Sequence, residues 1–347
     1  QSCLLEVCLM SEYILEVKNL RKLFPVRRNL QQIIKKERRF VHAVDNVSFS
    51  VKRGEIFGLI GESGCGKTTT GKVVMHLQES TEGQLLLDGK DVTRLDKEAL
   101  GIYRRNVQMI FQDPYASMNP RFTIRKVLLE PLEIHNIGST QEEREAMIVK
   151  ALESVKLTPA EEFLDRFPHM LSGGQRQRVA TARTLILNPE IVVADEPVSM
   201  VDLSTRAELL QMMKDVQQQM GLTYIYITHD LSTARYFTDR IAVMYLGRIV
   251  ELASADDLID NARHPYTKAL IAAVCEPVSG KVNVIKEVPI EGEIPSAANI
   301  PPGCRFHPRC IYAQPDCATE PEPELVGDEN GHFVACRHWK ELKRKKA

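Results

Sequence analysis

The sequence predicts an α/β fold: a mainly parallel sheet with an antiparallel β subdomain, an inserted helical subdomain and a small cysteine-rich module at the C-terminus. Three observations carry this reading. Continuous apolar runs at Ile56–Ile60, Ile191–Ala194, Tyr224–Thr228 and Ile241–Tyr245 are separated by helical stretches such as Arg176–Leu187 and Thr205–Met220, as for strands buried on both faces of a parallel sheet. Segments 12–20 and 41–53 instead alternate apolar and polar residues, as at Val44, Val47, Phe49 and Val51, the period of half-buried antiparallel strands. From about Pro114 to Leu171 the periodicity is helical, clearest over Gln141–Leu157, and after about Pro265 the composition turns to Pro, Gly and Cys, as in a loop-rich module that needs a staple.

At 347 residues the chain is long enough for one main domain and an appendage. Its 45 Lys plus Arg against 46 Asp plus Glu leave a formal charge of -1, so no overall charge draws it to nucleic acid. No apolar run approaches the roughly 20 residues that span a bilayer. The apolar stretch Gln1–Leu9 lacks the basic region and cleavage site of a signal peptide, and Met10 reads as a natural start. Residues 1–10 are therefore expected to be a non-native or disordered extension. Arg27–Arg39 is a strongly basic insertion, read as a solvated hairpin or loop, with contact to anionic lipid headgroups as the sharper alternative. Four of the eight cysteines cluster near the C-terminus, where a reduced compartment favours metal binding over disulfides.

Gly61-Glu-Ser-Gly-Cys-Gly-Lys67-Thr68 fits GxxxxGK(S/T) between the strand Glu55–Ile60 and a helix beginning near Thr69. In such a loop consecutive backbone N–H groups point at phosphates and the helix dipole assists them. Lys67 then meets the β- and γ-phosphates of ATP and Thr68 offers its hydroxyl to Mg²⁺, while Gly61, Ser63, Gly64, Cys65, Gly66 and Thr69 complete the loop's binding set. Ile191–Glu196 is a buried strand ending in two acids at the edge where α/β sheets bind ligands. Asp195 is expected to hold Mg²⁺ through water and Glu196 to act as general base on the attacking water. His229 ends another strand at the same edge. Taken alone such a histidine is more often structural, but beside the phosphate loop it is expected to face the γ-phosphate. Leu171-Ser-Gly-Gly-Gln175 precedes the helix Arg176–Leu187, whose buried face is marked by Val179, Ala182 and Ile186; two glycines there could be only a tight turn, but Ser172 with the exposed N–H groups makes a second anion site. Two phosphate-binding helix starts imply either two ligands or one ligand shared between two chains.

In this order the motifs resemble the ATP-binding cassette of ABC transporters, over roughly residues 11–265, and Leu171–Gln175 is close to diagnostic of that family. The resemblance implies a P-loop NTPase fold in which two cassettes pair head to tail, so that the loop of one and Ser172, Gly174 and Gln175 of the other clamp a single ATP. It implies that Gln112, within Phe-Gln-Asp-Pro, links Mg²⁺ and water to the transmembrane partner. It also implies that Ser199–Asp202 crosses the dimer interface; Ser-Met-Val-Asp departs from the commoner Ser-Ala-Leu-Asp but keeps Asp202. For the aromatic residue that stacks on adenine Phe24 is the best match, with Phe40 and His42 as alternatives and a packed strand end as its structural reading.

The tail reads Cys304-x5-Cys310-x6-Cys317-x18-Cys336. Zinc sites usually pair cysteines two to four residues apart, so these wider gaps point to a four-cysteine iron–sulfur cluster. Zinc, with His307, His332 or His338 substituting, and free buried thiols are the alternatives. His264–Leu270, Arg305–Cys310 and Ala335–Cys336 resemble the C-terminal extension of oligopeptide and dipeptide import ATPases, some of which carry a 4Fe–4S cluster. Its expected purpose is a stabilising staple, with redox sensing second.

The resemblance thus implies an ATP-binding domain over 11–265, with its helical subdomain at about 114–171, and an extension over 266–347. The chain is expected at the cytoplasmic face of the cell membrane as a peripheral ATPase driving uptake of dipeptides or oligopeptides. Its implied partners are a second ATPase subunit, identical or paralogous, two permease subunits and an extracytoplasmic peptide-binding protein, with no nucleic acid. Import of nickel or another small solute is one alternative. A soluble ABC-type ATPase acting on nucleic acid or ribosomes is another, although such proteins usually fuse two cassettes or carry long coiled coils. A redox sensor, the third, rests on the cysteines alone.

Overall fold

Apolar runs that must be covered on both faces, and alternating ones that need cover on one, sort into two sheets. The computed structural model describes residues 12–26, 39–273 and 290–344, so the expectations for residues 1–10 and for 27–38 of the basic insertion lie outside it. The strands are β1 (Tyr13–Pro25), β2 (Phe40–Lys52), β3 (Ile56–Ile60), β4 (Glu82–Leu87), β5 (Lys90–Asp91), β6 (Val107–Ile110), β7 (Ile191–Asp195), β8 (Thr223–Thr228), β9 (Arg240–Tyr245), β10 (Arg248–Ser254), β11 (Val326–Gly327) and β12 (Phe333–Val334). The alternating segments form an antiparallel sheet in the order β2-β1-β4-β5, and the continuous runs form the centre of an eight-stranded sheet, β11-β12-β10-β9-β3-β8-β7-β6. Its β9-β3-β8-β7-β6 portion is parallel. Every residue of β3, β7 and β8 is buried, which is why those strands lack alternation.

Register decides where the chemistry gathers. Ile60 pairs with Thr228 and Asp195 with Ile227, so three parallel strands end side by side, and the turns that follow them share one edge. Between β6 and β7 the expected helical insertion appears as helices Ile124–Ile134, Gln141–Ser154 and Glu161–Leu164. Thr123 and Thr140 cap the first two, and Leu128, Leu132, Ile148 and Leu152 bury their facing sides in the larger core. Two later helices begin earlier than their apolar periodicity suggests, at Gly173 and Leu203, because Ser172 and Asp202 cap them and their first turns contribute no buried apolar residue.

The tail is stitched to the sheet. β12 extends it through the pairs Glu251–Val334 and Leu252–Phe333. Phe306, 1% exposed, packs its ring 5.2 Å from that of Tyr245 and 5.5 Å from that of Tyr266. His332 is fully buried with Nε2 2.7 Å from Glu251 and Nδ1 2.5 Å from Asp257, so it is committed to this network. Arg305 donates to the Leu246 carbonyl at 2.6 Å, to Glu322 at 2.9 Å and to Asp45, which Arg21 also holds at 2.8 Å. Burial opposes ionisation of Asp45, but the Arg305 bond and charge, with Arg21, outweigh it and pull the carboxyl from 3.8 down to about 2.

A carboxyl with a depressed folded pKa contributes stability that is complete above its unfolded value and is lost as pH falls through the folded one. Asp45→Asn should therefore cost on the order of 2 kcal/mol at neutral pH. The gap between variant and wild type should close as pH drops from 3.8 toward about 2. Thermal melts of both proteins across that range check this.

Candidate nucleotide site and thiol cluster

β3 runs into a loop that closes on the helix Lys67–Val74. Gly66 caps that helix with φ of 112°, and a Cβ there would lie 2.1 Å from the Ala43 carbonyl oxygen, so both conformation and the approach of β2 require glycine. The Lys67 ammonium donates to the carbonyls of Gly61 at 2.7 Å and Glu62 at 3.0 Å, tying it to the loop. Beside the loop lies a cleft of about 680 Å³, a size suited to a nucleotide. Ser63, Gly64, Gly66, Lys67, Thr68 and Thr69 line it, together with Gln112, Glu196 and His229. Gly61 and Cys65 do not; the Cys65 thiol is buried and its pKa raised by that burial. Phe24 is half-buried in β1 with the Lys22 ammonium 5.1 Å from its ring centroid. It lies outside the cleft lining but stands opposite Val41, which belongs to it.

The acids at the end of β7 are handled differently. Asp195 is 4% exposed and accepts a hydrogen bond from the Thr68 hydroxyl at 3.1 Å. Burial, with the Glu196 charge adding to it, raises its pKa despite that bond. The next residue turns out of the strand with φ of 46°, its N–H bonded to the Ile227 carbonyl at 2.8 Å. This projects the Glu196 carboxylate into the cleft, where Gln112 Nε2 donates to it at 3.0 Å and His229 Nδ1 lies 2.9 Å away. The three residues expected to be catalytic thus meet at one carboxylate. The adjoining Thr68 hydroxyl and Asp195 carboxylate are hard oxygen donors of the kind Mg²⁺ prefers.

Ser172, Gly174, Gln175 and Asp202 lie elsewhere, on the starts of two packed helices. Ser172 accepts from the Gln175 N–H at 3.2 Å and Gln175 Oε1 from the Ser172 N–H at 3.0 Å, a capping box that leaves the serine proton free to donate. A Cβ on Gly174 would come within 2.6 Å of Thr205 Cγ2. Asp202 caps the next helix, and bonds from Thr205 and Ser204 pull its pKa down to about 2.

In the tail, Cys304, Cys310, Cys317 and Cys336 line one cavity with His307 and His338. Burial pushes the Cys304 and Cys336 thiols up to about 11 and about 12 and raises Cys310 as well. His332 lies outside this cavity, held by its two carboxylates, which removes it from the expected zinc substitutes. Among the described residues, one group of three ligand-type atoms falls within 4.8 Å: Asp316, Cys317 and His338.

Val41, Ala43, Leu270 and Ile294 also line the cleft and Arg309 bonds Glu62, placements that the sequence does not suggest. Val41, Ala43 and Ile294 carry no motif, Leu270 belongs to a motif of the extension that says nothing of the cleft, and the arginine is 247 residues from its partner. No helix among the described residues is long and apolar enough to cross a membrane.

A family model described as ABC transporter matches residues 44–199, and one described as oligopeptide/dipeptide transporter, C-terminal region, matches 250–317. The oligopeptide transport ATP-binding protein AppF of Bacillus subtilis (strain 168) is 47% identical over 328 residues, 94% of this chain and 97% of its own. The oligopeptide transport ATP-binding protein OppF of the same strain is 46% identical over 269 residues, 77% of this chain and 84% of its own. Among solved structures, the dimeric post-hydrolysis state of the ATP-binding cassette MJ0796 bound to ADP and Pi aligns with a TM-score of 0.61 at 30% identity, over 70% of this chain and 98% of that one.

A carboxyl whose folded pKa is raised destabilises the fold once pH passes its unfolded value, here 3.8. Asp195→Asn should therefore melt higher than wild type at neutral pH without nucleotide and converge with it below 3.8. Added Mg²⁺ and ATP should reverse the order, because only the wild type keeps the charged donor. Melting curves with and without Mg²⁺–ATP test both halves.

Proposed function

Because the chain belongs to the ABC transporter family, among its oligopeptide and dipeptide ATP-binding proteins, we propose that it hydrolyses ATP at the cytoplasmic face of the cell membrane to drive peptide uptake. The observation that carries the ATPase reading is the convergence of Gln112 and His229 on the Glu196 carboxylate beside the phosphate loop. The substrate class, dipeptides or oligopeptides, is supported by the relatives and by the match of the tail.

In this reading residues 11–265 are the ATP-binding domain and 266–347 its extension. The loop N–H groups and Lys67 hold the phosphates, and Phe24 stacks on adenine. Thr68 and Asp195, with Gln112, hold Mg²⁺, which when bound neutralises phosphate charge. Glu196 orients a water toward the γ-phosphorus and takes its proton as the bond to the β-phosphate oxygen breaks, while His229 fixes that carboxylate and meets the γ-phosphate. Ser172, Gly174 and Gln175 of an identical or paralogous second subunit close over the phosphates, with Asp202 at the interface. The helical subdomain, about 114–171, passes closure to two permease subunits that receive peptide from an extracytoplasmic binding protein.

Cys304, Cys310, Cys317 and Cys336 hold an iron–sulfur cluster of the 4Fe–4S type. Four thiols on one zinc ion at about 2.3 Å would stand about 3.8 Å apart. No three of these thiols fall within 4.8 Å of one another among the described residues, a spread that suits the larger group. The closeness of Asp316, Cys317 and His338 favours zinc as the second reading.

In the complex reconstituted with its permeases and binding protein, peptides of graded length should stimulate ATP hydrolysis. Glu196→Gln should lower turnover by about 100-fold or more while still binding ATP. Stimulation by nickel and by no peptide would overturn the substrate class, and undiminished hydrolysis by the variant would overturn the base. Protein purified without oxygen should contain iron and sulfide and absorb in a broad band near ~400 nm. Stoichiometric zinc in their place would decide for the second reading.

A further inference from the structure

The phosphate loop contains a carboxylate that its motif does not require. Glu62 lines the nucleotide cleft, where an unpaired negative charge opposes the binding of a triphosphate. It is paired from a distant part of the chain. Arg309 donates from Nη1 and Nη2 to the two Glu62 oxygens at 2.7 and 3.1 Å, a bidentate fork from a side chain only 7% exposed. The guanidinium also lies 5.8 Å from the centroid of the Tyr245 ring. Glu62 is held at its backbone too, since its N–H donates to the Tyr266 hydroxyl at 2.9 Å. Phe306, from the same turn of the tail as Arg309, packs against both tyrosines.

A second tie joins the same turn to the loop. Arg305 bonds the Leu246 carbonyl at 2.6 Å, and the next residue, Gly247, donates its N–H to the Cys65 carbonyl within the phosphate loop at 2.9 Å. Ile294 of the tail and Leu270 of the helix Pro265–Ala273 wall the cleft directly. The Ala297 carbonyl accepts from the N–H of His42, a neighbour of Val41 and Ala43 in that wall, at 2.9 Å.

We propose that Arg309 is a positioning residue of the ATP site, neutralising Glu62 and holding its carboxylate toward the tail, so that the extension completes the nucleotide-binding machinery. This rests on the ATP-site reading above and is independent of the peptide and iron–sulfur readings.

The test is the affinity of the full chain for a fluorescent ATP analogue in wild type, Arg309→Met, Glu62→Gln and the double variant. Arg309→Met, which strands the carboxylate, should bind about tenfold more weakly. Glu62→Gln should bind at least as tightly as wild type, and the double variant should recover to within about threefold of it, a coupling that separate sites do not show. Wild-type affinity in Arg309→Met would overturn the proposal. So would a double variant as weak as Arg309→Met, since the arginine would then only brace the tail. Should Arg309→Met fail to fold, Glu62→Gln decides: affinity at or above wild type supports the proposal and a loss overturns it. No binding by the wild type would remove the site itself and the proposal with it.

Discussion

Everything at the nucleotide site depends on the parallel register of β3, β8 and β7. Because Ile60 faces Thr228 and Asp195 faces Ile227, the three strands end together and their following residues meet at one edge. The hydrogen bonds that fix this register lie among fully buried residues, where a slip would leave backbone groups unpaired at a cost of about 1–3 kcal/mol each. The same rigidity lets Asp195 stay in the sheet while Glu196, turned by a positive φ, enters the cleft, so adjacent acids reach different environments.

Elements that look purely functional also serve local structure. The serine and glutamine of Leu171–Gln175 form a reciprocal cap, and Asp202 caps the helix packed beside it. Both helix starts need these groups whatever they later meet, since the first N–H groups of a helix have no partner within it. A hydroxyl that accepts from its own helix keeps its proton to donate, so capping leaves the phosphate contact proposed for Ser172 open to it.

The tail packs onto the larger core, with Phe306 inside it and Ile290, Ala297 and Ile300 against it. Phe306 enters the main core beside Tyr245 and Tyr266, β12 adds to the sheet edge, and buried polar side chains find partners: Arg305 in Asp45 and Glu322, and His332 in Glu251 and Asp257. Buried ion pairs such as Arg305 with Asp45 contribute little net energy against an apolar alternative but penalise any other arrangement heavily. Their main effect is to fix where the tail sits, and that position brings Arg309 to the phosphate loop.

The sequence by itself determined the α/β class, the two kinds of sheet, the phosphate loop, the acids at the end of β7 and His229, because each rests on a local period or on residues close along the chain. It also located the four cysteines. Helix starts were less legible, as at Gly173 and Leu203, where capping polar residues stand outside the apolar period. Only the tertiary structure decided that Gln112 and His229 converge on Glu196, that His332 is spent on Glu251 and Asp257, and that Arg309 answers Glu62. Those pairings join residues up to 247 positions apart, and a charge pattern along the chain carries no record of which opposite charge the packing will bring near.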